Sequence, residues 1–154
     1  MLPILDVYSY CLLPNHFHLI VKIKENNQLP IAIRTGKTKL YQPFSNMFNA
    51  YTKAINKRYT RRGSLFQEHL KRKEIIDEKY LRSLIIYVNT NPDHHGIANY
   101  SNYKFSSYNE LISDESNLLS KNEAITLFED IDNLKFVLKQ KKINIEAIND
   151  LVFE

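Results

Sequence analysis

Hydrophobic and polar positions follow two periods along this chain. Over residues 7–13 (Val-Tyr-Ser-Tyr-Cys-Leu-Leu) and 17–24 the apolar and β-branched side chains run without helical spacing, which predicts two strands. Pro14-Asn15 breaks the run, and so short a break allows only antiparallel pairing. From residue 43 the period lengthens. Phe44, Met47, Phe48, Tyr51 and Ile55 recur at helical spacing behind Pro43, which suits a first turn. A helix over 42–59 is expected, burying that aromatic stripe and carrying Lys53, Asn56, Lys57 and Arg58 mostly on its other side. Thr60-Arg61-Arg62-Gly63 is turn-like, and 69–76 predicts a further strand. Asp77 is a good N-cap for a helix whose buried stripe is Tyr80, Leu81, Leu84, Ile85 and Val88, with Tyr87 at its edge. Pro92 predicts its end at or just before Asn91. Residues 25–42 and 100–108 are expected to be irregular apart from a short helix over 29–34. Helical segments are expected over 109–112, 121–128, 131–139 and 143–152. The pattern is that of one α+β domain, with 1–112 as its main part and 113–154 as a helical extension.

Composition narrows the class. At 154 residues, 44% apolar and 25% charged, the chain suits a single soluble domain with a proper core. No apolar run is long enough to span a membrane, and Met1-Leu2-Pro3-Ile4-Leu5-Asp6 lacks the features of a signal peptide. A cytoplasmic location is the expectation. The single cysteine, Cys11, sits in a strand-like run and is most simply a buried small hydrophobe. The net charge of +4 matters less than its distribution. Lys53, Lys57, Arg58, Arg61, Arg62, Lys71, Arg72 and Lys73 stand against Glu68 alone, whereas the chain from Asp114 on is mixed and locally acidic. Such a band suits a phosphate backbone, and it equally suits a solvated surface with no partner.

Two stretches carry candidate chemistry. In Pro14-Asn15-His16-Phe17-His18, residues two apart share a face of a strand, so His16 and His18 present two imidazoles side by side while Phe17 points into packing. The pair can hold a metal, or it can be two satisfied histidines on a half-exposed sheet. In Tyr87-Val88-Asn89-Thr90-Asn91, residues four apart are helical neighbours, so Tyr87 and Asn91 share a face. Tyr87 is one of 10 tyrosines, and a phenol of pKa about 10 is a poor nucleophile unless a cation polarises its target. Asn91 offers an oxygen ligand or, more plainly, a helix C-cap before proline. The histidines of Asp93-His94-His95-Gly96 read as DNA-facing or exposed before they read as ligands.

In order along the chain, Leu13-Pro14-Asn15-His16-Phe17-His18-Leu19-Ile20-Val21, then Gly63-Ser64-Leu65-Phe66-Gln67 and the basic residues, then Tyr87-x-x-x-Asn91-Pro92-x-x-x-Gly96, then Ser106-Ser107-Tyr108 resemble the single-tyrosine HUH transposases, in particular the branch of REP-associated tyrosine transposases. The resemblance covers roughly residues 7–112. It implies a ferredoxin-like antiparallel sheet with helices on one face; the family's first strand and helix have no counterpart ahead of the strand leading to His16. It implies a transposase that cleaves and rejoins single-stranded, hairpin-containing DNA through a 5′-phosphotyrosine on Tyr87. His16, His18 and Asn91 would hold Mg²⁺ or Mn²⁺, and the basic band would track the DNA backbone, drawing the protein to the nucleoid. Completion of the sheet in a homodimer is open. The alternatives are a catalytically vestigial DNA- or RNA-hairpin-binding protein and a metal-dependent hydrolase that activates water.

Overall fold

The computed structural model describes residues 3–66, 71–114 and 118–140. Two strands forming an antiparallel sheet and six α-helices among the described residues give an α+β fold, consistent with the expected ferredoxin-like arrangement. The chain divides into two compact units, one made of Leu5–Ile23 and the residues from Ile75 on, the other chiefly of residues 24–74.

In the first unit, β1 (Leu5–Leu12) and β2 (Phe17–Ile23) pair antiparallel from Leu5 opposite Ile23 to Leu12 opposite Phe17, with a register slip between Val7 and Ser9. The turn at Pro14-Asn15 is closed by the Leu13 amide donating to the His16 carbonyl at 2.8 Å. The second edge of β1 is also bonded. Leu12 N donates to Phe105 O (2.8 Å), Ser107 N to Tyr10 O (2.9 Å) and Ser120 N to Val7 O (2.7 Å). With its polar backbone satisfied on both sides, β1 can be buried, and Leu5, Tyr8, Ser9 and Cys11 are. Burial pushes the Cys11 thiol up to about 12, as suits an inert, core-filling cysteine.

Helix α3 (Glu78–His94) is set against this sheet. Asp77 caps it, its Oδ1 accepting from Tyr80 N at 2.7 Å, a contact of about 1 kcal/mol. Leu84, Ile85 and Val88 are buried as their spacing predicts, joined by Ile86, while Tyr80, Leu81 and Tyr87 are half-buried against the same cluster. Pro92 does not end the helix, which runs on to His94 with His95 as its C-cap. Within the last turn a proline forfeits one backbone bond, the donation to residue 88. Here the turn is held by packing: Asn91 and Pro92 are fully buried, and the Asn91 and Pro92 carbonyls accept from His95 N (3.1 Å) and Ile97 N (2.9 Å). The segments α4 (Tyr108–Ile112), α5 (Lys121–Thr126) and α6 (Ile131–Gln140) add Leu111, Ala124, Leu134 and Leu138 to the core, next to Phe128 and Tyr100. The helix expected over 143–152 lies outside the described residues.

The second unit contains α1 (Ile31–Arg34) and α2 (Gln42–Arg58), with Pro43 in the first turn of α2 and Tyr59 as its C-cap. Its bounds match the sequence pattern; its burial does not. No residue of α2 is buried: Met47 is 36% and Tyr51 54% exposed. Phe66, from the loop that follows, covers part of the stripe, its ring 4.9 Å from Phe48 and 6.1 Å from Tyr51. A helical period fixes which side chains share a face but says nothing of what will cover it. Residues 71–76 form no strand, and 69–70 lie outside the described residues. The run from Lys71 to Glu74 is all charged and exposed and has no apolar face to bury, while Ile75 is partly buried against the core cluster.

Candidate active site

The first unit gathers the histidines and the tyrosine. His16, in the turn, and His18, on β2, stand with ring centroids 5.1 Å apart, edge to face. The His18 ring lies 5.5 Å from the ring of Tyr87 on α3. Further along α3, His94 stacks on Tyr87 at 5.8 Å. The helix cap returns His95 to His16 at 5.1 Å. Neither His94 nor His95 was marked for this site by the sequence pattern. Their signal was register: a helix that continues through Pro92 places them three and four residues, about one turn, beyond Asn91, whereas a helix ending at Asn91 leaves them in a free loop.

Both histidines are shifted towards the neutral form. Burial, and then the neighbouring His16 and His95, push His18 down to about 4. Burial, and then His95, lower His16. The His16 tautomer is fixed too. Its Nδ1 lies 2.8 Å from the Asn15 side-chain oxygen. That oxygen can only accept, so the proton sits on Nδ1 and the lone pair on Nε2.

The turn of α3 between Tyr87 and Asn91 is unusually polar for its depth. Asn89, Thr90 and Asn91 are all fully buried. Burying such groups is costly unless they are hydrogen-bonded. Asn89 and Thr90 are. Asn89 Nδ2 donates to Ser9 Oγ (2.9 Å) and Ile85 O (2.8 Å), Ser107 Oγ donates to Asn89 Oδ1 (2.8 Å), and Ser9 Oγ and Ser107 Oγ meet at 2.9 Å. Tyr10 N adds a donation to Ser107 Oγ at 3.0 Å. The ring of bonds ties α3 to β1 and accounts for Ser107 of the Ser106-Ser107-Tyr108 motif, for which sequence alone suggests no role. Thr90 Oγ1 donates to Ile86 O at 2.8 Å and meets His94 Nε2 at 3.1 Å. Asn91 differs: neither atom of its amide finds a hydrogen-bond partner among the described residues, and the same holds for His18 Nε2.

No family model, curated protein or solved structure matches the chain.

The donor chemistry fits a divalent cation. His16 and His18 supply imidazole nitrogens shifted towards the neutral form, and the buried Asn91 amide has an oxygen with no partner among the described residues, donor types that suit Mn²⁺ somewhat better than Mg²⁺. Among the described residues no three His, Cys, Asp or Glu side chains are positioned, as they stand, to hold a metal ion. The cations Lys53, Lys57, Arg58, Arg61, Arg62, Lys71, Arg72 and Lys73 belong to the second unit and are all exposed. Arg61 reaches the Ser64 carbonyl at 3.2 Å, and the Arg58 guanidinium lies 5.7 Å from the centre of the Tyr59 ring. Among the described residues no helix is long and apolar enough to cross a membrane.

Proposed function

We propose that the chain is a single-tyrosine HUH-type DNA strand transferase that cleaves and rejoins single-stranded, hairpin-containing DNA. The observation that carries this reading is the row Tyr87, His18, His16, with centroid spacings of 5.5 and 5.1 Å. A phenol set beside two imidazoles combines a nucleophile with ligands for the cation that phosphoryl transfer needs.

His16, His18 and Asn91 would hold Mg²⁺ or Mn²⁺. When bound, the ion would offset charge on the scissile phosphate, which is the main demand of phosphoryl transfer besides positioning. The chain's own residues supply the rest. Tyr87 Oη attacks the phosphorus; an O–P bond forms to the tyrosine as the P–O3′ bond breaks. The phenol gives up its proton and the departing 3′-oxygen takes one up, so the strand ends as a free 3′-hydroxyl and a 5′-phosphotyrosine. Attack by a 3′-hydroxyl on that phosphotyrosine restores the phosphodiester and releases Tyr87, without ATP. Asn15 keeps the proton of His16 on Nδ1, and the Ser9, Asn89 and Ser107 bonds fix the helical turn beside Tyr87. The exposed cations from Lys53 to Lys73 suit contact with the DNA backbone.

The test is cleavage of a labelled single-stranded hairpin from the flanks of the chain's own gene, with Mn²⁺ or Mg²⁺. The reading expects cleavage by the wild type and none by Tyr87→Phe. An active Tyr87→Phe would point instead to a hydrolase that activates water, and binding without cleavage by the wild type to a vestigial hairpin binder.

A further inference from the structure

We infer that His95 is a third imidazole ligand of the cation held by His16 and His18. The inference rests on the metal site proposed above and adds a residue to it. The His95 and His16 rings stand at the same 5.1 Å centroid spacing as His16 and His18. That spacing has a geometric meaning. With metal–nitrogen bonds of about 2.0–2.1 Å, the centroids of two imidazoles on one ion lie about 4.5–5.3 Å apart at ligand angles between square and tetrahedral. Both pairs fall inside this window, with His16 common to them.

His95 can make the remaining adjustment. The rings meet edge to face, at 84° and 69°, rather than turning their nitrogens to one point. His95 is the C-cap of α3 and exposed, so rotation about its side-chain bonds is open to it while its backbone stays anchored to the Asn91 carbonyl. A third nitrogen ligand would also move the site's preference from Mg²⁺ further towards Mn²⁺ and Co²⁺.

The experiment is titration of the full, metal-free chain with Co²⁺ or Mn²⁺ alone, without DNA. Co²⁺ is followed by its visible absorption and calorimetry, and Mn²⁺-bound protein by pulsed electron paramagnetic resonance, which counts coordinated imidazole nitrogens. His95→Phe keeps a ring in place but removes its donors; His16→Ala is the control, and circular dichroism melts check folding. The inference expects three imidazoles in the wild type, two in His95→Phe, and Co²⁺ affinity lowered at least about tenfold by that substitution. Two imidazoles in the wild type, or unchanged affinity in His95→Phe while His16→Ala abolishes binding, would overturn the role of His95 and leave the proposed site intact. No metal uptake by the wild type, or uptake indifferent to His16→Ala, would overturn both.

Discussion

Asn89→Ala should destabilise the first unit severely while touching none of the proposed catalytic groups. The hydrogen bonds define a closed cycle: Asn89 Nδ2 donates to Ser9 Oγ, Ser107 Oγ donates to Asn89 Oδ1, and Ser9 must then donate to Ser107 across 2.9 Å. Tyr10 N fills the second acceptor site of Ser107. All three side chains are completely buried. Alanine removes the bonds to Ser9, Ser107 and Ile85 O, and it leaves one serine hydroxyl without an acceptor. At about 1 kcal/mol for each of the three net bonds, with about 1–3 kcal/mol for an orphaned buried donor, the loss is about 4–6 kcal/mol. Against a typical domain stability of about 5–15 kcal/mol this is a large fraction. Urea unfolding followed by circular dichroism measures it. The same titration on Ser107→Ala and the double variant gives the coupling, expected to exceed about 1 kcal/mol because the two side chains share a network. A cost below about 1 kcal/mol for Asn89→Ala, or additive single substitutions, would refute the cycle as the tie between α3 and β1.

Three further outcomes follow from the site. In the metal-free protein His18 takes up its proton only at about 4, against 6.5 for a free imidazole, so between these values the unfolded chain binds more protons than the folded one. Stability is therefore full above pH 6.5 and falls as the pH drops to 4, by up to about 3 kcal/mol; urea titrations across that range should show the fall, and His18→Gln should flatten it. Replacing Lys53, Lys57 and Arg58 together by alanine should weaken single-stranded DNA binding and reduce the slope of log affinity against log salt by about 2; an unchanged slope would place the DNA elsewhere. Asn91→Ala removes a buried amide that has no partner among the described residues, rather than a bonded one. It should therefore cost less stability than Asn89→Ala in the same titration, yet weaken Mn²⁺ binding, measured by calorimetry, about tenfold.

How much of this was legible in the sequence depended on whether a feature is local. The strands showed in their β-branched runs, the N-cap in Asp77, and the ends of α2 in Pro43 and the turn after Tyr59, because each is decided by neighbouring residues. The paired imidazoles showed for the same reason, two-residue spacing at the start of a strand. What failed depended on distant cover. The α2 stripe has helical period, yet among the described residues Phe66 covers only part of it and no residue of the helix is buried. The charged run 71–74 was read as part of a strand from its neighbours, yet no face of it can be covered. Pro92 signals a helix end locally, and packing of a buried turn overrides it. That one override carried His94 and His95 from a supposed free loop to the Tyr87 and His16 rings. Asn89 was invisible as a tie because its partners, Ser9 and Ser107, lie far away in sequence.

The central claim is that Tyr87 is the nucleophile, and mapping a covalent adduct tests it most directly. The full chain is incubated with Mn²⁺ and the single-stranded hairpin, denatured and digested, and the peptide that retains nucleotide is sequenced by mass spectrometry. The account predicts a nucleotide on Tyr87 through a 5′-phosphate, absent in Tyr87→Phe and lost or much reduced in His16→Ala. A nucleotide on another residue, or cleaved DNA with no adduct in the wild type, would contradict it.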